Sequence, residues 1–378
     1  MPTFQEDVDD CAQYTEIVTL EDGPRRVALA PQYQSRVLTS TMEGPEGASF
    51  GWVNRDYIAA GQVHHAFNPY GGEDRLWVAP EGGQFGFHFD PGVPFTLEAS
   101  RVPAALDRES FETVSVEKRS ASFRKHFEMA NHSGTKFNIL LTRKVSLLSG
   151  EEMLVDLGMG HEGLNWVGFQ SENTIMNMGL LPWKKETGLP ALWVIGMFNA
   201  SDRSVVVLPY KDAPVLPGER IVYPNFVEVP PDRLEVLPHA ALFKGDSKFR
   251  SKVSLHARRA KSLLGSWDPN FGVLTVASFN LPLGPHSYVN AHWKIQKDPY
   301  AGDVVSSYND GPPEPGAPSW GAYYELETSS PGAELPPEGT ITHTHRTFHF
   351  TGDRVKLDGM SKHLFGVGLA EIEKFAGA

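Results

Sequence analysis

The last long run of alternating residues, Ile341-Thr342-His343-Thr344-His345-Arg346-Thr347-Phe348-His349-Phe350, places three imidazoles on one parity. In an extended strand His343, His345, Thr347 and His349 share a face, and Thr342, Thr344, Arg346, Phe348 and Phe350 take the other. Histidines at i and i+2 project in parallel, with Cβ atoms roughly 6–7 Å apart. That spacing suits a divalent metal, or a proton donor beside a hydroxyl-binding group. The same pattern also suits a solvated edge strand. Spacing alone supplies no third or fourth ligand, so no metal or other cofactor is predicted, although His343 and His345 would be its place.

Just before it, Tyr323-Tyr324-Glu325-Leu326-Glu327-Thr328 puts Glu325 and Glu327 on one face, opposite Tyr324 and Leu326. The short Pro- and Gly-bearing connection 331–340 predicts that the two runs pair as a hairpin, with carboxylate and imidazoles on neighbouring positions. A glutamate of tuned pKa beside a histidine is a sufficient acid–base pair for chemistry on a sugar. Glu327 is then the candidate base and His345 or His343 the candidate acid. The alternative is a surface glutamate in a charged ladder.

A third group is Gly71-Gly72-Glu73-Asp74-Arg75-Leu76-Trp77-Val78-Ala79-Pro80-Glu81-Gly82-Gly83-Gln84-Phe85. Paired glycines let backbone approach a ligand closely and hold nearby polar side chains against it. Arg75, Asp74, Glu73 and Glu81 are therefore candidate ligand-orienting groups, with His65 of the His64-His65 pair within reach. A structural turn with Arg75 paired to Glu73 or Asp74 is the competing reading. Asn173 and the loop-like Tyr308-Asn309-Asp310-Gly311 add amide and carboxylate groups suited to hydroxyls, with Asn309 and Asp310 the candidates. Eight tryptophans, Trp52, Trp77, Trp166 and Trp183 among them, can serve as stacking platforms, though most tryptophans fill cores.

Several classes are excluded by what the chain lacks. No Gly-Lys-Ser/Thr follows the glycine block, no dinucleotide fingerprint opens a helix, and neither a Gly-x-Ser-x-Gly elbow nor a His-Glu-x-x-His helix occurs. Lys+Arg 34 against Asp+Glu 46 gives a net charge of −12, which argues against nucleic acid or anionic lipid as a partner. Cys11 is the only cysteine, in a polar stretch with nothing to activate it, so neither an intrachain disulfide nor a cysteine zinc cluster can form. No apolar run reaches the ~18 residues of a membrane span. The acidic start Met1-Pro2-Thr3-Phe4-Gln5-Glu6-Asp7 has no secretion signal, so the chain reads as cytoplasmic; a chain trimmed of a leader would read as periplasmic or secreted. The oligomeric state is not legible.

The elements that must position these residues are mostly strands. Lys136 to Leu147 is the clearest, with Phe137, Ile139, Leu141, Val145 and Leu147 on one parity. Similar runs occupy 14–20, 25–30, 84–89, 111–117, 121–130, 204–210, 219–228, 251–257, 271–279, 286–296, 320–328 and 341–350. Helix is expected at Glu151 to Leu157 and after Asp358, where Phe365, Leu369, Ile372 and Ala376 share a face. The segment 299–319 reads as one long loop over a face of the sandwich. With 36 glycines and 29 prolines as punctuation, the economical architecture is one large antiparallel all-β domain.

The run Tyr324-Glu325-Leu326-Glu327-Thr328-Ser329-Ser330-Pro331-Gly332-Ala333, followed by Leu335-Pro336-Pro337-Glu338-Gly339, resembles the C-terminal signature of galactose mutarotase-like (aldose 1-epimerase-like) proteins. There the glutamate of a Leu-Glu-Thr strand is the catalytic base, which by position is Glu327. Thr39-Ser40-Thr41, Ser49-Phe50-Gly51-Trp52-Val53-Asn54, Gly71 to Phe85, Tyr308 to Gly311 and Thr342 to Phe350 are similar to a bacterial family assigned to the same fold, with no established reaction. The His343-x-His345 strand and the Gly-Glu-Asp-Arg block depart from true aldose epimerases. The resemblance implies a β-supersandwich over residues 14–352, capped by a helical segment 353–378. It further implies a sugar or oligosaccharide ligand and acid–base chemistry at or near the anomeric carbon. Glycoside hydrolases, polysaccharide lyases and a non-catalytic carbohydrate-binding module are alternatives on this fold. A cupin-like metal oxygenase is suggested by His-x-His alone.

Overall fold

The computed structural model describes residues 1–161, 163–215, 219–314 and 316–377. Alternation of apolar and polar residues dominates the chain, and strands dominate the structure. Helix α1 (Phe4–Ala12) starts on a capping box in which Thr3 and Glu6 satisfy each other's backbone N–H groups. Strands β1 (Val18–Asp22), β2 (Arg25–Ala30) and β3 (Arg36–Thr41) form a small antiparallel sheet. Helix α2 (Arg55–Ala60), capped by Asn54, leads to β4 (Arg75–Ala79). Next come β5 (Glu112–Val116), β6 (Ser120–Ala130), β7 (Lys136–Leu147), helix α3 (Gly150–Leu157), β8 (Asn165–Asn177) and β9 (Ala191–Asn199). The middle of the chain supplies β10 (Val205–Pro209), β11 (Tyr223–Pro224), β12 (Leu234–Val236), β13 (Ala240–Lys244) and β14 (Ser251–His256). The last strands are β15 (Leu263–Asp268), β16 (Val273–Phe279), β17 (Asp303–Asn309), β18 (Tyr323–Ser329) and β19 (Thr340–Thr351). Helices α4 (Arg354–Phe365) and α5 (Leu369–Ala376) close the chain.

Two large antiparallel sheets meet face to face. One has ten strands, ordered β12-β13-β10-β15-β16-β19-β8-β7-β6-β5, and the other six, ordered β11-β14-β17-β18-β9-β4. Between them lie two apolar clusters, one around Phe137, Ile139, Leu192 and Val194 and one around Val206, Phe243, Val253 and Leu326. A third, with Phe348, Phe350, Leu357, Phe365 and Ile372, lies on the outer face of the ten-stranded sheet under α3, α4 and α5. The amphipathic C-terminal cap is thus two helices, broken at Gly366, whose positive φ of 77° ends α4.

The expected hairpin does not form. β18 lies between β17 and β9 in the six-stranded sheet, and β19 between β16 and β8 in the other, so residues 331–340 cross from sheet to sheet. The runs 84–89 and 286–296 are loops. In place of a ladder they make turn bonds, the single bridges Phe89–Ser100 and Tyr288–Ala301, and an exchange in which Gln84 Nε2 donates to Gln296 O (2.9 Å) and Gln296 N–H donates to Gln84 Oε1 (3.0 Å). The run 219–228 shrinks to the two residues of β11 among its described residues. Conversely, the expected loop 299–319 contains β17, a central strand whose buried Val304, Val305 and Tyr308 are outweighed in sequence by flanking Pro and Gly.

Candidate functional site on the outer face of the six-stranded sheet

Alternation along β18 sends Thr328, Leu326 and Tyr324 towards the ten-stranded sheet and Glu327, Glu325 and Tyr323 away from it. Register assembles the outer face. Glu327 pairs across β9 with Ile195, which pairs with Arg75 on β4, and Trp193 lies opposite Trp77. On the other side Glu325 pairs with Tyr308 on β17, which pairs with Lys252 on β14.

Here the polar atoms are incompletely matched. Glu327 Oε2 accepts from Lys252 Nζ (2.6 Å) and from Trp193 Nε1 (2.9 Å), while Oε1 is buried with no protein partner. The Lys252 ammonium also rests 4.6 Å from the Trp193 ring centroid. Arg75 Nη2 donates to Glu325 Oε1 (3.2 Å), and its guanidinium stacks over Trp77 (4.1 Å) and Phe67 (5.1 Å). Arg75 Nε and Nη1 and Trp77 Nε1 are buried without partners, as is Nε2 of His88, whose ring meets the edge of Trp77 at 4.8 Å. Buried polar atoms are normally paired, so this concentration of unmatched donors and one acceptor on a single face marks it out.

The charges divide as acid–base chemistry requires. Burial pushes the Glu325 carboxyl up to about 8, against the pull of Arg75 and with help from the nearby Glu327 charge. Burial alone would lower the Lys252 ammonium, but Glu327, Glu81 and Glu325 hold it above its ordinary value. Burial also raises Glu81, with Lys252 opposing and Glu327 adding to the shift, and lifts Asp303 to about 6. His88 is pulled down to about 3 by burial and then by Arg75, so it is a neutral imidazole. A protonated carboxyl at Glu325 therefore stands two residues from Glu327, whose carboxylate is paired with an ammonium.

Of the residues singled out in the sequence, Glu327, Arg75 and Glu81 meet here. Asp310 borders them, accepting from Tyr308 Oη (2.8 Å) and from the backbone N–H groups of Trp320 (3.0 Å) and Gly321 (3.1 Å). His65 is exposed at the rim, stacked on His64, whose ring meets Trp320 edge-on at 6.4 Å. Asn309 faces inward and ties down a loop through Ser247 N–H (2.8 Å) and Phe249 O (2.9 Å).

The remaining candidates lie in the sandwich interior, on the other side of β18. His343 and His345 do not face Glu327; Nε2 of one (2.8 Å) and Nδ1 of the other (2.9 Å) share the Thr328 hydroxyl. Asp74 accepts from Arg143 Nη2 (2.7 Å) and Ser171 Oγ (2.6 Å), and Asn173 Oδ1 accepts from Arg143 Nη1 (2.6 Å). Glu73 meets His349 Nε2 (2.8 Å) and Ser40 Oγ (3.0 Å). The expected Glu–His pair is thus split by the sheet itself. Among the described residues no three His, Cys, Asp or Glu side chains converge as a metal site. Cys11 is buried, its thiol pushed up to about 12 by burial and by Asp7 and Asp10.

Sequence reading does not single out Lys252, Trp193 or His88, and leaves Glu325 only as the face-mate of Glu327. Lys252 alternates with Ser251, Val253 and Leu255 as any solvated strand lysine would, and nothing local marks the others. The face is roofed by the loops bearing Phe67, Trp293 and Trp320, leaving Glu327 1% and Arg75 2% exposed. A concavity of about 380 Å³ lies elsewhere, against Ile221, Val222, Pro224, Val229 and Leu234.

Solved structures share the architecture. The protein Slr1438 of Synechocystis sp. PCC 6803 aligns with a TM-score of 0.54 at 12% identity, over 89% of this chain and 96% of that one. A proposed aldose 1-epimerase of Escherichia coli K12 gives 0.52 at 12% identity, over 89% and 99%. Another, from Klebsiella pneumoniae, gives 0.53 at 9% identity, over 95% and 84%. At such identities the likeness shows the fold, which is that of galactose mutarotase-like, aldose 1-epimerase-like proteins. No curated protein matches by sequence. A family model described as a family of unknown function, DUF6786, matches residues 2–376, and the chain belongs to that family.

Proposed function

We propose that this protein is a carbohydrate-active enzyme that moves protons at the anomeric carbon of a sugar, as an aldose 1-epimerase does. The observation that carries this reading is the unpartnered Glu327 Oε1 beside the unpartnered Arg75 Nε, Arg75 Nη1 and Trp77 Nε1. One acceptor and three donors on an aromatic-lined face suit a ligand dense in hydroxyls. Glu327 removes the proton from the anomeric hydroxyl, its ionised form held by Lys252 and Trp193. Glu325, protonated at neutral pH, gives its proton to the ring oxygen as the ring C–O bond opens to the aldehyde. Reversal on the other face of the carbonyl closes the second anomer and returns both protons. Arg75 orients hydroxyls and Glu325 together. The acid in this scheme is Glu325, since His343 and His345 lie behind the sheet.

A second reading rests on the same two carboxyls. Residues i and i+2 of a strand lie roughly 6–7 Å apart, within the ~5–9.5 Å over which carboxyl pairs serve glycoside hydrolysis. Proton NMR of the protein with freshly dissolved sugars and oligosaccharides separates the two. Accelerated anomer equilibration, lost in E327Q, supports the epimerase; new reducing ends support the hydrolase. Equilibration at the same rate in E327Q as in wild type would overturn the role of Glu327.

A further inference from the structure

Glu327 and Arg75 are so deeply covered that nothing the size of a sugar reaches them unless part of the roof moves. Three segments form that roof, and they are held down in different ways. The stretch bearing Trp293 is stapled to the loop after β4: Gly82 N–H donates to Ala291 O (3.2 Å), and Gln84 and Gln296 exchange two hydrogen bonds. The stretch bearing Trp320 is stapled beside the end of β17. There the Trp320 and Gly321 N–H groups donate to Asp310, and Ser247 Oγ donates to Gly321 O (2.7 Å).

The third segment has no such staple. Residues 62–67, Gln-Val-His-His-Ala-Phe, are neither helix nor strand, and the first four are exposed. Among the described residues this segment hydrogen-bonds only within itself and to Asn68. His64 N–H donates to Asn68 Oδ1 (2.8 Å), Asn68 Nδ2 to His64 O (2.8 Å), and Ala66 N–H to His64 Nδ1 (3.4 Å). What holds the segment down is ring packing. Phe67 lies against the Arg75 guanidinium (5.1 Å) and meets Trp77 (6.1 Å) and Trp320 (5.9 Å) edge-on, while His64 meets Trp320 (6.4 Å). Its ends are fixed. Gly61 closes α2 at a φ of 60°, a left-handed setting that glycine takes freely, and the buried Asn68 is gripped by Tyr57 Oη (2.7 Å) and Asp107. A segment with few buried contacts and no hydrogen bonds to the body opens at low free energy while the sheets stay folded.

We propose that residues 61–67 are a lid hinged at Gly61 and Asn68, and that Phe67 is its latch, whose ring gives up its place over Arg75 to the incoming sugar. The identity of the ligand rests on the reading of Glu327 and Arg75 as a sugar site, whereas the opening rests on how the roof is bonded. A closed lid weakens apparent affinity by the fraction of molecules that are open, so loosening the latch strengthens binding.

The test has two arms, both on the intact chain. In the first, phenylglyoxal, which modifies guanidinium groups, is applied at neutral pH and the modified arginines are mapped by mass spectrometry. Arg143 is the internal control: it is as deeply buried as Arg75 and is paired with Asp74 as Arg75 is with Glu325, but it lies in the sandwich interior under no lid. Wild-type Arg75 should react at least about tenfold faster than Arg143. F67A should raise the Arg75 rate a further two- to thirtyfold, roughly the strength of one cation–π contact, and leave Arg143 unchanged, which also shows the fold intact. Equal protection of Arg75 and Arg143 in wild type, or an Arg75 rate unchanged in F67A, would overturn the lid. In the second arm, calorimetric titration with galactose and with glucose should show F67A binding about two- to thirtyfold more tightly than wild type. Weaker binding in F67A would overturn the exchange of ring for sugar, because Phe67 would then be part of the bound site. If neither sugar binds either protein while Arg75 still reacts faster than Arg143, the lid stands and the sugar reading of the site falls.

Discussion

Strand β18 carries polar side chains on both faces, and the two faces are organised differently. Inward, the Thr328 hydroxyl joins His343 and His345, and nearby Glu73, Asp74, Arg143, Asn173 and His349 complete a network in which only His343 Nδ1 lacks a partner. Outward, Glu327, Arg75, Trp77 and His88 leave donors and an acceptor unmatched, and Glu325 and Glu81 are displaced upward in pKa. Both faces are buried and both are rich in groups that could do chemistry. A satisfied network rigidifies a core, whereas unmatched groups with perturbed titration are what a ligand completes. Histidines at i and i+2 are the more conspicuous pattern in the sequence, yet Thr328 ties them into the interior network, and the chemistry proposed above rests on the glutamates of the other face.

Substitutions on either side of this one strand should behave in opposite ways. E327Q should lower turnover about 10²–10⁴-fold, the usual range for losing a general base. Some loss of stability should accompany it, because Lys252 loses its anion, so the rate is to be measured per folded molecule. T328V should do the reverse, leaving two buried ring nitrogens unpaired at about 1–3 kcal/mol each, with turnover per folded molecule little changed. Calorimetry beside the NMR assay decides this, and a T328V protein with wild-type stability but impaired turnover would break the comparison.

The pH dependence of stability should carry opposite signs for the buried histidines and for Glu325. Burial holds His343 at about 3 and His345 at about 4, below the 6.5 of a free imidazole. The unfolded chain therefore takes up those protons first, and the stability they confer is lost as pH falls from about 6.5 through 4 towards 3. Glu325, at about 8 against 4.5 when unfolded, contributes stability that is complete below 4.5 and lost as pH rises through 8. Denaturant titrations across pH should show both limbs, with E325Q removing the part of the loss that runs from about pH 6, where Asp303 has already titrated, to about 8; a loss over that range unchanged in E325Q would remove Glu325 from this account. Turnover should likewise decline above about pH 8, as the proposed acid loses its proton.

Smaller effects sharpen the outward face. K252M removes the ammonium from which Glu327 Oε2 accepts, so turnover per folded molecule should fall, by less than in E327Q. Wild-type turnover in K252M would take Lys252 out of the proposed site. C11A, beyond both faces, should leave turnover unchanged, and the buried thiol in the native protein should resist alkylation until the chain unfolds.

Local periodicity determined much of this protein. Period two along Lys136–Leu147, Tyr323–Ser329 and Thr340–Thr351 is a property of neighbouring residues, so the strands, the all-β class and the face shared by Glu325 and Glu327 were readable from the chain alone. Glu327 was a candidate base from the chain alone, through its Leu-Glu-Thr setting. Parity, however, says which residues share a face and not what that face meets. Whether 331–340 turns back as a hairpin or crosses to the other sheet depends on which edges β9, β17, β8 and β16 leave open, and those strands are contributed from elsewhere in the chain. That choice placed His343 and His345 behind the sheet and brought Arg75 and Lys252, far apart in sequence, to the two sides of β18. The pairing, burial and proton affinities of the site are sums over these distant neighbours, and only the tertiary structure supplies them.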